Sequence, residues 1–449
     1  NAAAHSALAE AWFLQGYDKK ALAEAKKAFD RSADLTGEGR LLIEARFRAL
    51  SRDWDRAINL YSSLWTMEPD DPEHIERLAR TQLLATKWKD ALSTLESAYA
   101  ANPPLRDEPS LALIEGEVRQ RLSDFPGALA AARRALATAS PRGARLLVAR
   151  AHHGEGQALL SLGSQAEARA AFERSRDLYR EIGDREGEAL SSRSLAVVLR
   201  QTGNLDEAYR IGADALRTLR EMGNQRHAVT VLNTLANIRY DQSRLDDAAR
   251  LYDEILAIGR ETEDLRAQAA ALGNLGNVYF LRGDLARAIS SHREALRFKR
   301  EMGDRAGTAT TLVSLAVPLL DHVEPAQAVA HLEEALGLAR EIGSKGIEAT
   351  ALHVLAETRF HTGDVAAAQS LFETARTAQR ELGEAETAQF GVPLGGSLFR
   401  GSAYVFAKPA GGWGAAPTLL ESAKLEPSGS PGGINFGAGV AVDGDYVLV

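Results

Sequence analysis

A fixed period of 40 residues runs through the middle of the chain. One series of turn-like positions lies at Leu162-Gly163, Thr202-Gly203, Arg282-Gly283 and Thr362-Gly363, with Ser243 and Val323 at the two remaining points. A second series with the same spacing lies at Gly183-Asp184, Gly223-Asn224, Gly303-Asp304 and Gly343-Ser344. Gly followed by Asp, Asn or Ser is typical of a left-handed helix C terminus and the N-cap of the next helix. Two such signals in each period therefore predict two helices per repeat.

Small residues recur in three columns that are in phase with this period. In the second helix of each repeat, one column is Ala in every case: Ala21, Ala57, Ala91, Ala128, Ala168, Ala208, Ala248, Ala288, Ala328 and Ala368. Twelve residues earlier, in the first helix, lie Ala9, Ala45, Ala79, Gly116, Gly156, Ala196, Ala236, Gly276, Ala316 and Ala356. Seven residues after the first column lie Ala28, Leu64, Ala98, Ala135, Ser175, Ala215, Ile255, Ala295, Ala335 and Ala375. Because helices packed as a hairpin need small residues where their axes approach, the columns predict about ten stacked helix hairpins.

The best copy of this pattern is GNLGNVYFLRGDLARAISSHREAL, residues 273 to 296. It resembles the tetratricopeptide repeat, which has a small residue in helix A and two Ala flanking an aromatic residue in helix B. The resemblance implies an all-α, right-handed solenoid of about ten repeats over residues 1–386. Residues 1–140 have shorter repeats, which close on Pro69 and Pro103. Residues 141–386 use the 40-residue form, which is similar to the repeats of kinesin light chains and spindle-orientation adaptors.

Residues 387–449 have a different composition and predict a small β segment. Residues 390–449 hold 13 of the 38 Gly and 5 of the 14 Pro in the chain, alongside alternating apolar runs such as 403–406. Such segments are typical of short strands joined by turns. GSAYVF, residues 401–406, and NFGAGVAVDGDYVLV, residues 435–449, resemble the FG-GAP repeat of β-propellers. Since a propeller closes with four to eight blades, we expect an incomplete blade here.

Composition and motifs exclude several classes of function. The chain has no Cys, which excludes disulfides and thiolate chemistry, and no apolar run of about 18 residues that would predict a membrane span. Its charge of −8 is spread over 53 basic and 61 acidic residues, which argues against nucleic acid as a partner. Metalloprotease, Walker, esterase-elbow and kinase motifs are absent, and the ten His are scattered. We therefore predict no catalytic residue, no metal site and no cofactor.

Polar and aromatic residues at helical spacing identify a candidate binding surface. In a right-handed stack the A helices line the concave side, and positions separated by three, four or seven residues point the same way. Asn can pair with both the N–H and the C=O of an extended peptide, and a neighbouring aromatic ring supplies an apolar contact. The resemblance implies the same, because related adaptor repeats hold peptide backbone with Asn. The predicted peptide-binding residues are Asn233, Asn237, Tyr240, Asn274, Asn277 and Phe280.

Two other interpretations of this surface remain. The Asn side chains could simply cap or solvate their helices, without any ligand. Alternatively, some tetratricopeptide proteins clamp a C-terminal carboxylate with Lys and Arg on successive A helices. Asn237 and Asn274 match the Asn part of that pattern, whereas Asn233, Thr310 and Ser314 stand where its basic residues would be. The sequence therefore favours peptide backbone over a carboxylate clamp.

The functional prediction is a non-catalytic scaffold that binds an extended peptide of a protein partner. One alternative is the sensor or docking tail of a bacterial signalling kinase, since residues 1–180 resemble the repeat tails of such kinases. Another is the stalk of a cell-surface adhesion protein with an FG-GAP propeller. The repeat region favours a cytoplasmic location, and a genuine FG-GAP segment would favour an extracytoplasmic one. The chain begins at Asn1 and ends in an apolar run, as expected of a piece of a longer protein.

Overall fold

The computed structural model describes residues 1–14, 17–321 and 324–387, and four strands between 403 and 448. The helices in the first half of the chain are α1 (Ala2–Leu14), α2 (Asp18–Asp30), α3 (Glu38–Leu50), α4 (Trp54–Met67), α5 (Pro72–Leu84), α6 (Trp88–Ala101), α7 (Pro109–Arg121), α8 (Phe125–Ala139), α9 (Arg145–Ser161), α10 (Gln165–Ile182), α11 (Arg185–Gln201), α12 (Leu205–Glu221) and α13 (Gln225–Asp241). The remaining helices are α14 (Leu245–Glu261), α15 (Leu265–Leu281), α16 (Leu285–Glu301), α17 (Arg305–Asp321), α18 (Pro325–Ile342), α19 (Lys345–His361) and α20 (Val365–Thr387). A single 3₁₀ turn, Pro103–Asp107, precedes α7.

Helix hairpins are the building block, as the 40-residue period predicts. The chain divides into two compact units, residues 1–244 and residues 245–449. Within the first unit α1 packs on α2, α9 on α10 and α11 on α12, and within the second α15 packs on α16 and α19 on α20. Each hairpin also packs on the next one in its unit, so that each unit is a stack of helix pairs. The predicted all-α solenoid fold is confirmed.

The small-residue columns lie at the closest helix contacts. All ten residues of the Ala column in the second helices are buried, and the most exposed of them, Ala128, retains only 3% of its surface. In the first helices Ala196 and Ala316 are completely buried at the equivalent positions. A larger residue at such a position would have to displace the facing helix, which costs about 1–3 kcal/mol. These contacts explain why the sequence has Ala or Gly at the equivalent position of each repeat.

The turn signals form the helix ends that they predict. Gly183, Gly223 and Gly303 have φ values of 77°, 68° and 66°, in the left-handed region that favours Gly. At the following position Asp184 accepts a hydrogen bond from the Gly187 N–H at 2.9 Å and so caps α11. Asn224 and Asp304 cap α13 and α17 in the same way. Ser344 differs, because its side chain makes no capping hydrogen bond. Val323 lies outside the described residues.

One contact in the first unit joins parts of the chain that are distant in sequence. A stack in which each repeat touches only its neighbours has no such contact. However, the guanidinium of Arg226, at the start of α13, lies 5.0 Å from the ring centre of Phe13 near the end of α1. The Tyr17 hydroxyl lies against Gly223 at the turn before α13. The first repeat of this unit therefore touches its last helix at these two points.

The C-terminal strands form one antiparallel sheet. They are β1 (Ala403–Ala407), β2 (Glu421–Leu425), β3 (Ala441–Asp443) and β4 (Tyr446–Leu448). Their order in the sheet is β2-β1-β4-β3, with β1 pairing to both β2 and β4. The stretches between the strands, including all of NFGAGV, lie outside the described residues. The FG-GAP resemblance of residues 387–449 therefore remains a prediction.

Candidate functional site

Three consecutive A helices of the first unit form one continuous surface. Helix α9 contacts α11, and α11 contacts α13, so that equivalent positions on the three helices are neighbours. His153, Arg193 and Asn233 are separated by 40 residues and occupy such equivalent positions. Asn237 and Tyr240 continue along α13 by one and two further turns. We call the surface formed by His153, Arg193, Asn233, Asn237 and Tyr240 the inner face of the first unit.

The predicted residues of α13 are partly exposed. Asn233, Asn237 and Tyr240 are half-buried and alternate with fully buried apolar residues such as Leu232 and Leu235. Their spacing of four and then three residues places them in one stripe on the helix. Burial raises the pKa of Tyr240, and the neighbouring Asp241 charge adds to this shift. The stripe therefore consists of two amides and a neutral phenol, each of them half-buried.

The predicted residues of α15 form a separate group in the second unit. Asn274, Asn277 and Phe280 are half-buried, as on α13. In the repeat frame Asn277 and Phe280 are equivalent to Asn237 and Tyr240, whereas Asn274 lies one position after the equivalent of Asn233. The Phe280 ring packs against the core cluster of this unit, which supplies an explanation for its presence without a ligand. The six predicted residues thus fall into two groups of three, one in each unit.

Arg193 is a residue of the inner face that the sequence analysis did not identify. Its side chain is half-buried, and its Nε atom is buried without a hydrogen bond. Among the described residues no carboxylate forms an ion pair with it, and burial lowers the pKa of its guanidinium. In contrast, Arg200, two turns later on α11, pairs with Asp241 of α13 at 3.4 Å. Because an unpaired half-buried cation is costly, Arg193 is suited to receive an anionic group from a ligand.

His153 does not add a second charge next to Arg193 at neutral pH. Burial and, to a smaller extent, the nearby Arg193 charge together lower the pKa of His153 to about 4. The ring lies edge-on against Phe172, with 5.3 Å between the ring centres, and its Nδ1 atom is 3.3 Å from the Ser191 hydroxyl. Arg193 is therefore the cation at this position of the inner face.

A signal for Arg193 was present in the repeat itself. The first-helix column in which Asn233 lies reads His153, Arg193, Asn233 and Gly273 in successive 40-residue repeats. Arg is common throughout the chain, however, and most of the Arg residues are paired with a carboxylate on the same or the next helix, as Arg180 is with Glu188. Only the distances show which Arg residues have no such partner.

A recess on the other side of the first unit has paired charges. It encloses about 300 Å³ between α10, α11 and α12 and is lined by Glu and Arg side chains. Arg180 and Glu188 in this recess are 2.8 Å apart, and Arg176 pairs with Asp177 at 2.9 Å. These pairs satisfy much of the charge that a ligand would otherwise neutralise. The recess is thus a weaker candidate for a binding site than the inner face.

Membrane insertion has no support in the described helices. None of them combines sufficient length with the hydropathy that a bilayer span requires.

No curated protein matches the sequence.

Comparison with protein families and solved structures identifies the repeats. Residues 115–181 match one tetratricopeptide repeat model, and residues 227–301 and 269–341 match another. A Rap protein complexed with competence and sporulation factor is 12% identical and superposes with a TM-score of 0.57, over 86% of this chain and 99% of that chain. A signal transduction ATPase with numerous domains from Pyrococcus horikoshii, which has a tetratricopeptide repeat sensor, is also 12% identical. It superposes with a TM-score of 0.51 over 81% of this chain and 56% of that chain.

A putative kinesin light chain repeat protein from Podosopora anserina is 18% identical over 43% of this chain and 96% of that chain, with a TM-score of 0.37. The assignment of the repeats depends instead on the family matches and on the stacked hairpins. Tetratricopeptide repeats generally serve as non-catalytic scaffolds for protein partners. Residues 115–181 and 227–341 therefore consist of tetratricopeptide repeats.

Proposed function

We propose that the chain binds an extended segment of a protein partner on the inner face of the first unit. Asn233 and Asn237 would pair with the backbone of that segment, and Tyr240 would contact one of its apolar side chains. The observation that carries the proposal is the half-buried Arg193, which has no carboxylate partner in the described residues. A protein surface that keeps such a cation gains free energy when a ligand supplies the anion.

The chemistry of the inner face favours peptide over other ligands. Each Asn offers two donors and an acceptor, which match the alternating N–H and C=O groups of an extended backbone without requiring a particular sequence. Arg193 adds one requirement, an acidic side chain or a terminal carboxylate placed beside the paired backbone. The group of Asn274, Asn277 and Phe280 would bind peptide backbone within the second unit by the same chemistry, with Asn277 as its main polar contact.

Similar folds support this assignment in two ways. The Rap protein was solved with competence and sporulation factor bound, so a chain of this fold can hold a separate factor. The Pyrococcus protein uses its tetratricopeptide repeats as a sensor of a signalling ATPase. This second relative favours a further candidate function, in which the chain is the sensor or docking region of a signalling enzyme. Peptide binding on the inner face is compatible with both.

The test uses the full chain and point variants of the inner face. Partners are captured with the wild-type chain, and peptides that tile the captured partner are then titrated in a fluorescence anisotropy assay. We expect Arg193→Ala and Asn237→Ala to lower the affinity about 5- to 150-fold, because each leaves groups of the bound peptide unpaired at about 1–3 kcal/mol. Arg217→Ala is the matched control, since Arg217 of α12 is 69% exposed.

Two results would contradict binding on the inner face. Affinity that is unchanged in all inner-face variants, but is lost when residues 387–449 are deleted, would assign binding to the β segment. A partner whose affinity depends on Arg217 as strongly as on Arg193 would indicate a nonspecific electrostatic interaction. Both results are measurable with the same peptides.

A further inference from the structure

A group of ligand-type side chains lies near the N terminus of the first unit, away from the inner face. Glu68 is the residue that follows α4, Asp71 precedes α5, and His74 lies in the first turn of α5. One oxygen of each carboxylate and one ring nitrogen of His74 all lie within 4.8 Å of one another. Glu38, the first residue of α3, approaches the same histidine. The group therefore connects two consecutive helix hairpins.

His74 is the unusual member of the group. Only 1% of its surface is exposed, and neither of its ring nitrogens has a hydrogen bond among the described residues. Its Nε2 atom lies 3.6 Å from Glu38 Oε1 and 3.7 Å from Asp71 Oδ2. Buried polar atoms of this kind almost always have a partner, and these separations are too long for hydrogen bonds. A buried imidazole is thus directed at carboxylates with a gap between them.

We propose that Glu68, Asp71 and His74 bind a divalent transition-metal ion of the zinc type, with Glu38 as a fourth ligand. In a tetrahedral site with bonds of about 2.0–2.2 Å, neighbouring ligand atoms are about 3.3–3.6 Å apart. The two distances from His74 Nε2 are close to that edge length. Small side-chain movements would bring the ligand atoms into contact with a central ion.

The ligand types identify the class of ion. An imidazole nitrogen suits zinc and similar transition metals, whereas calcium and magnesium prefer oxygen ligands alone. Three carboxylates around one histidine also give a negative site, which attracts a divalent cation. The combination of one nitrogen with carboxylate oxygens therefore favours zinc over the alkaline-earth ions.

Part of the site is held in place without the ion. Asp71 Oδ1 accepts a hydrogen bond from the Glu73 N–H at 2.9 Å and so caps α5, which leaves Oδ2 directed to His74. Glu68 is exposed and the Glu38 side chain is 47% exposed, so that an ion could enter from solvent. A bound ion would link the start of α3 to the loop between α4 and α5. Its expected role is structural, because the site is remote from the inner face.

The simplest alternative is a protonated His74 that pairs with the two carboxylates. Such an ion pair would be most stable with hydrogen bonds of about 2.7–2.9 Å. The observed separations from His74 Nε2 are longer than that. His227 shows what a paired histidine looks like in this chain, since its Nδ1 atom lies 2.7 Å from Glu186 Oε1. His227 is accordingly a matched control for the experiment.

The experiment titrates the full chain, stripped with a chelator, with ZnCl₂ in a calorimeter. Thermal melting with and without zinc and the visible absorption of added Co²⁺ give two further readouts. We expect one site per chain that is lost when His74 or Glu68 is changed. The affinity should fall at least about tenfold in His74→Gln and in Glu68→Gln, since residues that only orient a metal ligand are already worth about 10- to 100-fold.

Further variants make the result decisive. His227→Gln should bind zinc like the wild type, and Asp71→Asn should keep the helix cap while weakening the site. If His74→Gln does not fold, the exposed carboxylates of Glu68 and Glu38 provide variants that do not disturb the core. The proposal is overturned if zinc does not bind saturably, if these variants bind as tightly as the wild type, or if Mg²⁺ binds as well as Zn²⁺.

Discussion

The ring of Phe172 in α10 occupies the space that a side chain at Gly156 in α9 would need. A Cβ atom on Gly156 would lie 2.7 Å from Phe172 Cε1, closer than carbon atoms approach. The same relationship recurs in the second unit, where a Cβ on Gly276 would lie 2.6 Å from His292 Cε1. At these two positions the Gly of the first helix thus leaves room for a ring of the second helix.

The first prediction concerns this packing. Gly156→Ala should destabilise the chain by up to about 2 kcal/mol, because the overpacking cost of about 1–3 kcal/mol is offset by only about 1 kcal/mol of helix propensity that Ala gains over Gly. Chemical denaturation of both proteins measures the difference in the free energy of unfolding.

Gly337→Ala is the matched control for this prediction. Gly337 is exposed in the middle of α18, and nothing lies within 4 Å of a Cβ built there. The change should therefore stabilise the chain by about 0.5–1 kcal/mol. If both substitutions stabilise the chain equally, the Phe172 contact does not constrain Gly156.

The second prediction concerns acid stability. Burial lowers the pKa of His292 to about 4, against about 6.5 in an unfolded chain. Between these values the unfolded chain binds a proton that the folded chain does not, so stability is complete above pH 6.5 and decreases as the pH falls. His292→Phe keeps a ring against Gly276 and removes this proton uptake. Relative to the wild type, the variant should gain about 2 kcal/mol between pH 7 and pH 5.

Melting at several pH values measures this effect. Other titrating groups are shared by both proteins and cancel in the difference between them. If the stability curves of wild type and variant are parallel over this pH range, His292 is protonated equally in the folded and the unfolded chain. That result would contradict the effect expected from its burial.

Local signals explain why the hairpins could be predicted from the sequence. Each Ala of the columns lies at a helix contact within or next to its own repeat, and each Gly of the turns lies at a helix end. Both features can therefore be predicted from residues that are close in the sequence. The contact between Phe13 and Arg226 is different, because its two residues lie near opposite ends of the first unit in the sequence. No spacing or repeat signal in the sequence links these two positions.

The third prediction tests this long-range contact. A cation–π pair contributes about 0.5–1 kcal/mol at exposed sites and more when it is desolvated. Arg226→Ala should therefore increase amide hydrogen exchange in α1 and α2 about 2- to 5-fold, with no change in α9 and α10. Arg297→Ala is the control, since Arg297 stacks on the adjacent Phe298 at 4.2 Å. Exchange in α1 that is the same in both variants would mean that Arg226 does not hold the first repeat.

The candidate binding residues show a similar limit of sequence reasoning. Asn233 and Asn237 were identifiable because Asn at helical spacing is uncommon in an amphipathic helix. Arg193 and His74 were not, because Arg and His have many structural uses and the sequence does not contain the distance to the nearest carboxylate. In the structure that distance distinguishes Arg193, which is unpaired among the described residues, from Arg200, which is 3.4 Å from Asp241.

The last prediction uses this difference between two Arg residues on one helix. Arg193→Met keeps an unbranched apolar stem but removes a cation that has no partner in the free chain. The free energy of unfolding should therefore stay the same or rise by up to about 1 kcal/mol, while the affinity for an acidic peptide falls about tenfold or more. Arg200→Met should instead destabilise the chain by up to about 1 kcal/mol, because it leaves Asp241, whose side chain is 39% exposed, without this ion pair.

Thermal melting and peptide titration at two salt concentrations measure both effects. In the wild type, higher salt should weaken binding of the acidic peptide, and in Arg193→Met that dependence should be smaller, because the charge that salt screens is gone. A residue kept for stability would give the opposite result, with a lower melting temperature in Arg193→Met and an unchanged affinity. A residue that serves binding can lower the stability of the free chain. The melting temperature and the peptide affinity together therefore separate the roles of Arg193 and Arg200.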